Sequence, residues 1–118
     1  DNIKASIVHK IEKMYKIIYL NSQKLNKSDK LGMRAKTENI CLRCLHLAIE
    51  AALINKENKT PIVKKLKLEI EILKQFVRLE MELEIINEKT YLIWQNHLQE
   101  MSKMTNGWLE YLQKKNLT

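Results

Sequence analysis

Residues that interrupt regular secondary structure are nearly missing from this chain. Its 118 residues include two glycines, Gly32 and Gly107, and one proline, Pro61. A β-sheet protein needs frequent turns, and turns draw on glycine and proline. Apolar residues make up 45% of the chain and charged residues 30%, so a packed core and a solvated surface are both available. The chain therefore predicts an all-α fold in a single domain, residues 1–118.

Apolar residues at helical spacing predict four long helices. The first three are expected over residues 3–25, 29–55 and 61–86, and the fourth is expected after residue 87. The apolar positions of the first helix recur at steps of 4, 4, 3 and 4; they are Ile3, Ile7, Ile11, Met14 and Ile18. This spacing is typical of one helix face. Short loops favour antiparallel neighbours, so the simplest arrangement is an up-down-up-down four-helix bundle.

Local signals mark the helix starts. A short side-chain oxygen can accept from an unpaired N–H of the first turn, and Asn26 or Ser28 is predicted to cap the second helix in this way. Thr60 and Pro61 predict the N-cap and the first position of the third helix, where the missing N–H of proline costs nothing. Asn87 is predicted to cap the fourth helix.

The third helix carries two apolar rows. The first row is Leu66, Ile70, Leu73 and Val77, and the second is Leu68, Ile72, Phe76, Leu79 and Leu83. Two rows predict burial over a wider arc than one neighbouring helix would cover.

The fourth helix has the sharpest pattern, a heptad seam with steps of 3 and 4 that only Thr105 interrupts. The seam is Tyr91, Trp94, Leu98, Met101, Thr105, Trp108 and Leu112. It runs through Gly107, so this glycine is predicted to lie inside the helix, at a cost of about 1 kcal/mol relative to alanine. Close approach by another helix or subunit is the expected compensation. Trp94 and Trp108 are interpreted as packing residues.

No pattern in the chain predicts catalysis. Cys41 and Cys44 form one CxxC, whereas a structural zinc site needs four ligands, so both are interpreted as packing residues. The three histidines are scattered, and no glycine-rich phosphate loop exists. The acidic groups Glu69/Glu71 and Glu80/Glu82/Glu84 alternate at i, i+2 and are interpreted as solvated faces. We therefore expect no enzyme, no catalytic residue, no cofactor and no metal.

The sequence also predicts a cytoplasmic protein. Its uninterrupted apolar runs are short, and no membrane span or signal peptide is visible. Two cysteines in a helical pattern do not indicate a disulfide scaffold, which favours a reducing compartment.

Basic residues are unevenly distributed. The net charge is +7, of which residues 1–59 contribute +6 and residues 60–118 contribute +1. The third helix carries five basic candidates for contact with an anionic partner: Lys64, Lys65, Lys67, Lys74 and Arg78. Lys67, Lys74 and Arg78 share one face, at steps of 7 and 4. Such a face could contact nucleic-acid phosphates, although a solvated helix surface would show the same charge pattern.

Three segments of the chain resemble the accessory variability determinant (Avd-like) family. They are "NKSDKLGMRAKTENICLRCLHLAIEAA" (26–52), "LEIEILKQFVRLEMELEIINEKTY" (68–91) and the glycine-tryptophan ending "EMSKMTNGWLEYL" (100–112). Their order and spacing carry the resemblance, which spans most of residues 26–112. The family consists of four-helix-bundle proteins encoded beside diversity-generating retroelements.

The resemblance implies a function that composition does not. Avd-like proteins form pentameric rings, associate with the reverse transcriptase of the retroelement, and bind RNA or DNA through basic surfaces. They support mutagenic reverse transcription. Two basic positions of the family's third helix fall on Lys74 and Arg78. The resemblance therefore makes these two the best candidates for contact with nucleic acid or the reverse transcriptase, and Lys64, Lys65 and Lys67 are weaker candidates. The position of Lys74 is often arginine in the family, and lysine keeps the charge but loses the two-pronged geometry of the guanidinium.

A related group leaves an alternative open. Bundle proteins encoded in ribosomal-RNA intervening sequences carry a proline-containing segment in the second helix region. This chain reads "ICLRCLHLAIEAA" there and has no proline. The difference favours the retroelement branch. The alternative function is a structural or protein-interaction bundle without a retroelement role.

Overall fold

The computed structural model describes the backbone of residues 2–117 and the side chains of residues 6–114. This part of the chain is helical and contains no strand. The elements are α1 (Asn2–Ser22), a five-residue α2 (Lys27–Leu31), α3 (Met33–Leu53), a 3₁₀ turn (Lys56–Asn58), α4 (Lys59–Glu82) and α5 (Glu88–Leu117). The four long helices are the four that the sequence predicts.

The long helices form an up-down-up-down bundle, as predicted. α1 and α4 each pack against both α3 and α5, so α1 and α4 lie on one diagonal. Contacts between helix ends show that neighbours are antiparallel: Asn21, at the end of α1, lies beside Thr90 and Ile93, at the start of α5. The start of α3 meets the end of α4 through Arg34 and Glu80. The bundle measures 52 × 21 × 20 Å.

One apolar row from each long helix fills the core. The α1 row from Ile7 to Ile18 is fully buried, while the side chain of Ile3 lies outside the described residues. In α5, every seam position from Trp94 to Leu112 is buried, and Tyr91 is half-buried. Burying one such aliphatic or aromatic side chain stabilises the fold by about 1.5–3 kcal/mol. Thr105 fits the seam because its hydroxyl donates to the Met101 carbonyl at 2.8 Å.

The predicted second helix is interrupted at Gly32. Asn26 caps the short α2, as predicted, by accepting from the Asp29 N–H at 2.8 Å. At Gly32, ψ is −104°. An α-helical residue has a ψ of about −42°, so Gly32 is not helical. A Cβ at this position would lie 2.8 Å from the Ser28 carbonyl oxygen. Only glycine allows the chain to bend here, so the expectation of one continuous helix over 29–55 was wrong.

The third predicted helix both starts and ends early, as α4. The 3₁₀ turn leads directly into it, so Asn58 rather than Thr60 is the N-cap. Pro61 still lies in the first turn, where N–H groups have no helical partner. At the other end, Glu84 adopts a positive φ of 61°. The N–H groups of Glu84 and Ile85 donate to the carbonyls of Met81 and Glu80 at 3.0 and 2.8 Å. This is a Schellman ending, usually built on glycine.

The outer apolar row of α4 is only partly buried within the protomer. We use the term outer row for Leu68, Ile72, Phe76, Leu79 and Leu83. Leu68 is 61% exposed, Leu79 42% and Leu83 57%. Neighbours α3 and α5 cover the first row, whereas in the outer row Ile72 and Phe76 are partly buried against the core. The predicted wide arc of burial is therefore only partly met within one protomer.

Gly107 lies inside α5, as predicted, but without the predicted close approach. Its backbone is helical and the residue is exposed. A Cβ built on it would meet no atom within 4 Å. Within the protomer, Gly107 is therefore not required by packing, so the expectation of close approach by another helix of the same chain was wrong, while close approach by another subunit stays a prediction. The side chain of Trp108 turns into the core instead, where it is 1% exposed.

Candidate nucleic-acid interface

The basic candidates of α4 fall on two surfaces of the helix. Lys67, Lys74 and Arg78 lie along the flank that faces α5, and Lys64 lies beside them. We call these four residues the cationic flank. Lys65 is separated from it, because Lys65 lies one heptad before Ile72 and therefore on the outer row. Sequence spacing thus brings together four of the five predicted residues.

Three members of the cationic flank are free to meet an external anion. Lys64, Lys67 and Arg78 are exposed, and so is Lys65 on the neighbouring surface. Within the described part of the chain, none of these side chains forms an ion pair or hydrogen bond. Unpaired surface cations of one sign raise the local concentration of anionic ligands and speed their association.

Lys74 differs from the other members of the flank because it is already paired. Its Nζ lies 2.9 Å from Glu71 Oε2, and its side chain is 13% exposed. It also donates to Gln99 Oε1 of α5 at 3.4 Å. The hydrogen bond from Lys74 is the main cause that holds the pKa of Glu71 below its usual value. Lys74 therefore links α4 to α5, and Glu71 offsets part of the charge of the flank.

A buried ion pair fixes the end of the bundle beyond Arg78. Arg34 Nε donates to both Glu80 carboxylate oxygens at 3.1 Å, and Arg34 Nη2 lies 2.6 Å from Glu80 Oε1. Both side chains are 0% exposed. Arg34 Nη1 also donates to Asn21 Oδ1 at 3.0 Å and Ser22 Oγ at 3.2 Å. The guanidinium lies 5.2 Å from the centre of the Trp94 ring. All four long helices meet at this cluster.

The interpretation of Glu80 as part of a solvated face was wrong. The signal was present in the spacing: Glu80 continues the buried row Ile70, Leu73, Val77 at the next step of three. Arg34 likewise precedes Thr37, Cys41 and Cys44 at steps of 3, 4 and 3. A charged residue in register with a core row indicates a buried pair, because burying one charge alone is costly. Two other members of the acidic set, Glu82 and Glu84, are exposed as predicted.

The cysteines are packing residues, as predicted. Both thiols are free, buried and part of the hydrophobic core. Burial, followed by the charge of Glu38, raises the pKa of Cys41 to about 12. Such thiols are chemically inert because the thiolate is the reactive form. No group of three or more His, Cys, Asp or Glu side chains in the described residues could hold a metal ion.

The helices in the described part of the chain are unlike membrane-spanning helices. None of them combines the length and the apolar character needed to cross a bilayer. Even α5, which extends from Glu88 to Leu117, carries charged residues along its length.

Comparison with known proteins gives one result. The sequence model of the bAvd-like family matches residues 6–112, which is most of the chain. No curated protein and no solved structure matches it. The match covers all four long helices, and it agrees with the resemblance seen in the second, third and fourth helices. The chain therefore belongs to the bAvd-like family.

Proposed function

We propose that this protein is a non-enzymatic accessory factor of a diversity-generating retroelement, which binds nucleic acid and the reverse transcriptase during mutagenic reverse transcription. Membership of the bAvd-like family is the observation that carries the proposal. The exposed cations of α4 supply a physical basis for nucleic-acid contact. The helix bundle supplies a rigid support, because these cations stand on one continuous helix.

The cationic flank is the proposed contact with phosphates. Arg78 and Lys67 are the principal residues, since both are exposed and unpaired among the described side chains. Lys64 adds charge at the start of the helix, and Lys65 contributes less because it lies on the side of the outer row. Lys74 contributes less, because Glu71 already neutralises it. In this arrangement the flank holds template RNA or nascent cDNA near the polymerase by charge alone, so binding weakens steeply as salt rises.

Binding across a salt series tests the proposed partner. Fluorescence anisotropy with labelled RNA and DNA duplexes is expected to show binding that decreases between about 50 and 200 mM salt. Glu71→Gln is expected to strengthen binding, because it removes the negative charge beside Lys67 and releases Lys74. A protein that binds neither nucleic acid at the lower salt concentration would favour the alternative, a structural bundle that contacts only other proteins.

We also propose that the outer row joins copies of this chain into a ring, which the family resemblance predicts to be a pentamer. Three of its five side chains are more than 40% exposed, and contiguous exposed apolar surface of this kind marks protein contacts. Light scattering after size exclusion measures the mass directly. Leu79→Glu is expected to yield monomers with unchanged helix content, whereas Lys103→Glu, at an exposed position on α5, is expected to keep the wild-type mass. A wild-type protein that is monomeric would contradict this assembly.

Association with the reverse transcriptase has a separate test. The tagged protein is expected to co-purify with the reverse transcriptase encoded near its own gene after nuclease treatment, so that nucleic acid does not bridge the two. Neighbouring genes provide the independent check, since a reverse transcriptase with paired template and variable repeats is expected there. Finding neither the gene nor the complex would favour the alternative function.

A further inference from the structure

The outer side of α1 carries two adjacent hollows that the proposed function does not use. The first has a volume of about 350 Å³ and is lined by Tyr15, Lys16, Tyr19 and Leu20. The second has a volume of about 320 Å³ and lies between the end of α1 and the start of α5. Leu20 belongs to both hollows and separates them. Their volumes lie near the lower end of the about 300–1,000 Å³ range of ligand pockets.

The walls of these hollows are apolar and aromatic. Tyr19 is 49% exposed and Leu20 is 65% exposed. The ring of Tyr15 lies one helical turn earlier, half-buried against the core, with its centroid 6.1 Å from that of Tyr19 and the two planes tilted by 35°. In the second hollow, Ile93 is 48% exposed beside the indole of Trp94. The exposed ring of Tyr19 offers a flat surface on which a planar group can stack.

The charged residues of α1 near the hollows are mostly basic, whereas α3 contributes an acidic group, Glu38, whose charge acts on Tyr15. Between residues 6 and 25 the chain has four lysines and a single acidic residue, Glu12. Lys16 lines the first hollow and Lys24 lines the second. The carboxylate of Glu12 lies 3.3 Å from the His9 ring. Lys10, in contrast, is paired with Glu100 at 2.6 Å and belongs to the α1–α5 contact.

We propose that this face of α1 binds single-stranded nucleic acid, with a base stacked on Tyr19 and phosphates held by Lys16 and Lys24. Aromatic platforms beside a cationic path are what sequence-tolerant single-strand binding requires. A duplex keeps its bases stacked inside and offers this face only phosphates, so the hollows select unpaired strands. This site shares the nucleic-acid partner of the proposed function but none of its residues. The α1 site and the cationic flank of α4 can therefore be tested independently.

Variants of Tyr19 separate stacking from charge. Binding of a fluorescein-labelled oligo(dT) and of a duplex of equal length is measured by anisotropy. Tyr19→Ala is expected to weaken oligo(dT) binding by about 5- to 150-fold, the usual effect of removing one stacked base. Duplex binding is expected to stay unchanged, and Tyr19→Phe is expected to bind oligo(dT) as the wild type does. Lys67→Ala/Arg78→Ala, on α4, is measured in parallel.

The outcomes are distinct. Equal oligo(dT) binding by Tyr19→Ala and wild type, or equal weakening for strand and duplex, would overturn the α1 site. If Lys67→Ala/Arg78→Ala still binds nucleic acid more weakly than the wild type, the proposed function stands without the α1 site. Photocrosslinking of an iodouracil-containing strand gives a second readout and is expected to label the α1 peptide that contains Tyr19. A Tyr19→Ala variant that loses only its binding to vesicles containing phosphatidylserine would assign the face to a membrane surface and contradict the inference.

Discussion

Arg34 and Glu80 are 46 residues apart in the chain, yet their side chains form a three-bond ion pair that solvent does not reach. The pair lies at one end of the bundle, and Arg34 reaches the last turn of α1 by donating to the Ile18 carbonyl at 3.3 Å. The contact therefore fixes the relative position of α1, α3 and α4. Trp94 adds α5 to the same cluster through its ring face.

Breaking this pair should be the most damaging single polar change. Glu80→Gln is expected to lower the free energy of unfolding by about 3–5 kcal/mol, because Arg34 is left buried without its countercharge. Urea denaturation followed by circular dichroism measures the loss. The exposed neighbour Glu82→Gln is the matched control and is expected to change stability by at most about 0.5 kcal/mol. Arg34→Met/Glu80→Leu is expected to be more stable than Glu80→Gln, and a double variant that is less stable would contradict this account.

The left-handed backbone at Glu84 predicts a stabilising change. Glu84→Gly is expected to raise the free energy of unfolding by about 1 kcal/mol, since a side chain at positive φ costs about 1–2 kcal/mol. Thermal and urea melts provide the measurement. Glu82→Gly, two residues earlier at the last residue of α4, where φ is negative, is expected to lower the free energy of unfolding instead. Equal effects of the two glycines would show that the Schellman ending is not responsible.

Gly107 predicts a second stabilising change within the protomer. Gly107→Ala is expected to add about 1 kcal/mol to the free energy of unfolding, because the added methyl group meets open space and alanine favours the helix. Gly32→Ala is the contrasting variant and is expected to destabilise, since its Cβ would lie 2.8 Å from the Ser28 oxygen. A destabilised Gly107→Ala protein, measured together with its mass in solution, would show that another chain packs on this residue.

His97 predicts how stability changes with pH. Burial, followed by the charges of Lys10 and Lys13, lowers the pKa of His97 from 6.5. Lys10 Nζ donates to His97 Nδ1 at 3.1 Å, which requires a neutral ring. As pH falls, the unfolded chain therefore takes up this proton first, and stability is lost below about pH 6.5.

Urea midpoints measured from about pH 7.5 to 5.5 test whether stability falls as the pH falls. His97→Gln is expected to flatten the slope in that range. His9→Gln, at a side chain that is 80% exposed, is expected to keep the wild-type slope. Stability that rises as pH falls through this range in the wild type and not in His97→Gln would contradict the account.

The fold was largely predictable because its signals are local or periodic. The α5 seam, the row of α1 from Ile7 to Ile18, and the Asn87 cap all follow from spacing or from a single side chain. The Asn87 carboxamide oxygen does accept from the Thr90 N–H, at 2.8 Å. The Schellman ending was missed because Glu84 replaces the glycine that signals it, and the apolar pattern continues past it to Ile86.

The candidate site was less predictable, because pairing depends on which side chains meet across helices. Helical spacing correctly predicted that Lys67, Lys74 and Arg78 lie on one flank of α4. It could not show that Glu71 pairs with Lys74 and that α5 covers it. The proposed α1 face could not be predicted from the sequence, because neither exposure nor a hollow can be read from spacing.

The salt dependence of duplex DNA binding tests the central claim most directly. Each protein cation that displaces a counterion contributes about 0.9 to the slope of log K against log salt. Lys67→Ala/Arg78→Ala is therefore predicted to reduce the magnitude of that slope by about 1.8 and to weaken binding, with unchanged helix content. Lys56→Ala/Lys103→Ala removes two exposed charges elsewhere and is predicted to keep the wild-type slope. Identical slopes for the wild type and the α4 variant would contradict a nucleic-acid contact on the cationic flank.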